Sequence, residues 1–136
     1  MRARGLAILL LLLTGVTAAQ AAAPYDGSAP MKCAIETVMI CSDPSICVRG
    51  NATTAVLPAV LAVDVPGKRI GGDGAGRTVS IVSVGHGAGR LMLHGEEVAM
   101  SGTAWNMVID EKSGTMAGAS LTQAGGFLVF GKCSGG

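Results

Sequence analysis

Cys33, Cys41, Cys47, Cys133, His86 and His94 are the side chains of this chain whose types and spacing could carry chemistry. The chemistries open to them are disulfide bonding, thiol redox exchange and metal ligation. No Cys-x-x-Cys pair occurs, and both histidines are remote from the cysteines in sequence, so neither a redox dithiol nor a cysteine-based metal centre finds support. Structural bridging remains, and geometry prunes the three possible pairings. If Cys33 to Cys41 is one extended strand, its ends lie roughly 26 Å apart at about 3.3 Å per residue, far beyond the ~7 Å that a bridge tolerates between Cα atoms. Cys41 and Cys47 bracket a short segment with the turn initiator Asp43-Pro44 and close easily on each other. The predicted pairs are therefore Cys41–Cys47 and Cys33–Cys133. The second would hold the first and last strands side by side, as a closed or nearly closed barrel requires.

His86 and His94 flank a proposed hairpin loop and could face each other on paired strands, with Glu96 or Glu97 as a further ligand. No His-x-His or His-Glu-x-x-His pattern supports this, so they are weak metal candidates and no metal is expected. Adjacent Glu96 and Glu97 point to opposite faces of a strand and cannot work as a carboxylate pair. No Gly-x-Ser-x-Gly elbow is present. Gly71 to Gly76 lacks the Lys-Ser/Thr of a phosphate loop and no helix follows it, so it reads as a hairpin connection. Neither catalysis nor a cofactor is expected. Asn51-Ala52-Thr53 is a glycosylation sequon only in a eukaryotic secretory pathway.

The elements that must position these residues begin after a leader. Arg2 and Arg4, the apolar run Leu6 to Val16, and Ala19-Gln20-Ala21 form the three parts of a secretion signal, with cleavage expected after Ala21. The apolar run is shorter than the ~20 residues a membrane span needs. The 136 residues less the 21 of the leader leave 115, enough for one domain with a core. Beyond the leader, eight Lys and Arg face nine Asp and Glu with no block of either sign, which gives no electrostatic basis for binding nucleic acid or an anionic membrane. Aromatic residues make up only 3%, so the core must be aliphatic and stacked-aromatic recognition has little to work with.

Residues 22–32 read as a flexible lead-in, and 33–136 as a single β domain. Strands are expected at Cys33 to Ile40, Leu57 to Val65, Arg77 to Val84, Arg90 to His94, Thr103 to Asp110, Thr115 to Thr122 and Phe127 to Cys133. Thr103, Trp105, Met107 and Ile109 share one face of the clearest of them. Turn signals recur every 8 to 12 residues or so, which predicts an all-β antiparallel meander of about seven or eight strands, a barrel or sandwich stapled by two disulfides. Leu61 to Gly72 echoes Met107 to Gly118, with Asp64 matching Asp110. An Asp-led turn between two strands accounts for that likeness.

Ser101-Gly102-Thr103-Ala104-Trp105, followed by a strand pair ending in Cys133, is similar to the Ser-Gly-x-x-Tyr segment and terminal cysteine of periplasmic lysozyme-inhibitor barrels of the MliC type. The chain has Trp in place of Tyr, lacks that family's Phe-Trp-x-Lys-Gly stretch and carries an extra cysteine pair. The resemblance implies that Ser101, with Trp105 nearby, meets an enzyme cleft. The residues themselves lead to the expectation of a small, exported, periplasmic, non-enzymatic protein that binds or has a structural role, with another envelope protein as the candidate partner. A binding module would present the loops Gly71 to Gly76 and Gly85 to Gly89.

Overall fold

The computed structural model describes residues 23–74, 76–97 and 102–136. The leader therefore lies outside the described residues, as does Ser101. Ten strands and no helix are present among the described residues: β1 Met31–Asp43, β2 Ile46–Gly50, β3 Val60–Asp64, β4 Arg69–Gly72, β5 Thr78–Ser80, β6 Ser83–Gly87, β7 Arg90–Glu97, β8 Thr103–Asp110, β9 Thr115–Thr122 and β10 Gly125–Gly135. All pair antiparallel in one sheet, ordered β5-β4-β3-β1-β10-β9-β8-β7-β6, with β2 folded back on β1. The outer members β5 and β6 are consecutive in the chain, separated by Ile81 and Val82. The Ile81 N–H donates to Lys68 O at 2.9 Å and the Val82 N–H to His94 O at 2.8 Å, which draws the two edges of the sheet together. The outcome is a curled, half-barrel sheet.

Alternation builds this curl. Leu91, Leu93, Met107, Ile109 and Met116 all face inward and are buried, while Met92, Val108 and Asp110 on the same strands face out. Burying one such aliphatic side chain contributes about 1.5–3 kcal/mol, and Val63, Ile70, Ile81 and Met31, with Cys33 and Cys133, complete the cluster. Ahead of β1, the Tyr25 N–H donates to Glu111 O at 3.1 Å, Tyr25 packs against the core and Gly27 is buried.

Both disulfides join directly opposed residues. Cys33 faces Cys133 across β1 and β10 at a Cα separation of 3.8 Å, and Cys41 faces Cys47 across β1 and β2 at 4.1 Å. The meander is nearly complete, since β2 alone departs from it, as a side hairpin.

Several boundaries differ from expectation. β1 continues through Cys41 to Asp43, because pairing with β2 carries the ladder past the first disulfide and leaves only Pro44 and Ser45 as the turn. Gly71 and Gly72 pair with Ala62 and Leu61 in β4 and are not loop. Likewise Gly85 to Gly87 belong to β6, and the hairpin loop shrinks to Ala88-Gly89 with φ of 50° and 70°. Two positive φ values match the twist of the flanking strands, so the tight turn wins over a glycine-rich loop. The two echoing hairpins share a register, Leu61 opposite Gly72 and Met107 opposite Gly118. In each, the strand-ending aspartate accepts the N–H three residues on, from Gly67 at 2.9 Å and from Ser113 at 2.8 Å.

Candidate functional site

The rows of inward side chains thin out toward one end of the curl. Leu91, Ile109 and Met116 lie in one row across β7, β8 and β9, and Leu93 and Met107 continue the next. That second row meets Gly118, and the third runs Gly95, Trp105, Ser120, Phe127. Small residues at Gly95, Gly118 and Ser120 leave unfilled volume beside the two rings, and the space is a cavity of about 160 Å³ opening at that end. A cavity of roughly 150 Å³ lined by aliphatic and aromatic side chains is large enough to hold benzene.

Its walls are mainly aliphatic and aromatic, with Ile35, Leu61, Val79 and Val129 joining the two rings; Thr103, Asn106 and Ser120 add uncharged polar groups, and Arg77 and Glu97 are the charged residues among the described lining. Arg77 Nη2 lies 2.6 Å from Glu97 Oε2, with the arginine half-exposed and the glutamate side chain 14% exposed. Arg77 precedes β5 and Glu97 ends β7, so their ion pair bridges the line where the curl closes. Glu97 occupies an inward position in the series Leu91, Leu93, Gly95. A carboxylate on an otherwise apolar stripe was the signal that could have marked it in the sequence.

Trp105 is both core and wall. It packs against the buried cluster and borders the cavity, while its Nε1 is buried with no acceptor among the described residues. Leu57 reaches the lining from a turn fixed by two reciprocal bonds, Asn51 N to Thr54 Oγ1 at 2.9 Å and Thr54 N to Asn51 Oδ1 at 3.0 Å. Beside it, Val56 has φ of 55° and is 92% exposed. A β-branched residue in the left-handed region is strained, and strain of this kind collects at functional surfaces.

The histidines do not meet. His94 opposes Ser83 and His86 opposes Leu91, an odd number of steps along β6, so their side chains leave opposite faces of the sheet. This corrects the expectation that they could face each other with Glu96 or Glu97 at hand. His86 Nδ1 instead lies 2.7 Å from Glu111 Oε1, a partner 25 residues away that hairpin spacing could not reveal. Among the described residues no group of three or more His, Cys, Asp and Glu is placed to hold a metal. Asp26 has its carboxyl held below the ordinary 3.8 by hydrogen bonds from Ser28, with His86 adding an attractive field. Asp110 is held low in the same way by the Ser113 backbone and hydroxyl, then by Lys112 and Arg90.

Gly102, Thr103, Ala104 and Trp105 are the described members of the segment that resembles the lysozyme inhibitors, and Thr103 and Trp105 line the cavity. No protein-family model, curated protein or solved structure matches the chain.

Proposed function

We propose that the chain is exported through its Met1–Ala21 leader to an oxidising compartment such as the periplasm, and works there as a non-catalytic binding module. Its binding site is the cavity mouth at Trp105, and the ligand is a small, mainly apolar molecule. The observation that carries this reading is the unfilled, mainly apolar volume between Trp105 and Phe127, open at one end of the curled sheet. Apolar clefts with a few placed polar groups are the usual form of small-molecule sites. The strained, exposed Val56 at the same end supports it, and the two disulfides support export.

Trp105 is the single tryptophan, so its emission reports on the site alone. Titration with six-carbon apolar compounds should shift or quench that emission saturably; no change with any of them would reject the binding role. N-terminal sequencing of protein recovered from outside the cytoplasm should begin at Ala22. The inhibitor reading is favoured by one observation, that Thr103 and Trp105 of the resembling segment line the mouth. It requires inhibition in a lysozyme panel by the wild type and loss of it in Ser101→Asp. No inhibition by the wild type ends that reading.

A further inference from the structure

We infer that the Arg77–Glu97 pair makes the mouth a charge filter, so that the site takes uncharged molecules and turns away ionised ones of the same size and shape. This rests on the proposed binding role and names the ligand class.

Among the described residues, the lining holds one cation and one anion, already joined at 2.6 Å, and no other ionisable side chain. The local charge is therefore balanced before any ligand arrives. A carboxylate that reached Arg77 would lie beside the like charge of Glu97, already 2.6 Å from the guanidinium. An ammonium group that reached Glu97 would lie beside the like charge of Arg77 in the same way. Either ion would also give up its hydration to a mainly apolar wall, in which Thr103, Asn106 and Ser120 are the uncharged polar members, and that transfer is costly unless the charge is paired and hydrogen-bonded. An uncharged molecule meets none of these costs. A single hydroxyl or carbonyl at its outer end can still use Arg77, whose guanidinium carries five N–H donors and is half-exposed. The pair is placed for this role by the curl itself, because β5 and β7 approach only where Ile81 and Val82 turn the chain from one edge of the sheet to the other.

The test compares 1-hexanol, hexanoate and hexylammonium on the full disulfide-bonded protein at neutral pH, read by Trp105 emission. In the wild type, 1-hexanol should bind about tenfold or more tightly than either ion. Neutralising one partner should tilt the filter in a defined direction. Glu97→Gln leaves Arg77 uncompensated and should raise hexanoate affinity about tenfold, while Arg77→Gln should do the same for hexylammonium. Wild-type affinities that are equal for the three compounds, or variants that shift neither ion, overturn the filter and leave the binding role intact. Failure of all three to bind the wild type overturns the binding role itself. Circular dichroism of both variants confirms that the sheet is retained.

Discussion

Trp105 lies directly opposite Gly95 across β8 and β7, and its indole covers the position where a Gly95 side chain would stand. A Cβ there would collide with the indole Cζ2 and Cε2 and would come within 2.5 Å of Ser80 O. The glycine is what allows the ring to fill the line between β5 and β7. Gly95→Ala should therefore cost about 1–3 kcal/mol, the range for an overpacked interior. Trp105→Phe keeps a ring and removes a buried N–H that has no acceptor, so its loss of packing is offset and stability should stay within about 1 kcal/mol of wild type. Trp105→Ala should cost about 3 kcal/mol. Urea denaturation of the three variants checks the order.

The two disulfides should differ in strength and in accessibility. Cys33–Cys133 closes a separation of 100 residues inside the core, whereas Cys41–Cys47 closes 6 on an exposed hairpin. In the chain-entropy picture their removal costs about 5 and about 2 kcal/mol. Mild thiol treatment should open Cys41–Cys47 first, with Cys33–Cys133 released only on unfolding. Timed alkylation and peptide mapping would read this directly.

Backbone strain predicts an opposite pair of outcomes. Ala88 and Val56 both have left-handed φ, at 50° and 55°. Replacing either by glycine removes about 1–2 kcal/mol of steric cost and adds about 0.5–1 kcal/mol of chain entropy, a net gain of roughly 0.5–1 kcal/mol. Ala88→Gly should leave ligand titrations unchanged, since it lies on the β6–β7 turn. Val56→Gly should stabilise the fold and, through the adjoining lining residue Leu57, alter binding. Thermal melts paired with titrations distinguish them.

Acid should weaken the fold through two aspartates. Asp110 is bound by Ser113 and Lys112 N–H groups at 2.8 and 3.0 Å and by Arg90 at 2.7 Å, and Asp26 by the Ser28 N–H at 2.8 Å. Both carboxyls are lowered from 3.8, so their contribution is complete above that value and disappears as pH falls below it. Asp110→Asn should be less stable than wild type at neutral pH, and the difference should shrink as pH falls below 3.8. A difference that persists there would mean that the aspartate acts by something other than its charge.

Local chemistry made much of the sheet legible. The strand length between Cys33 and Cys41 forbade their pairing, and alternation around Trp105 placed β8 at its observed ends. Cys41–Cys47 was legible as a bridge but not as a ladder, because Ile46–Gly50 has no alternation of burial and is held by β1 alone. The split of Arg77 to Val84 into β5 and β6 depends on bonds to Lys68 and His94 that no local pattern encodes. The site was legible only in Trp105. Leu57, Arg77, Glu97 and Phe127 come from four separate stretches of chain, and the empty volume arises from small residues on neighbouring strands, whose spacing conveys nothing until the register is known.

Met31 pairs with Gly135, next to the bond between Cys33 and Cys133. The strand order thus has no privileged starting point: a short linker could join these two places while a new opening was cut at Ala88-Gly89 or at Lys112-Ser113, and every ladder would survive. Such a rearranged chain would trade the sulfur clasp for a peptide one.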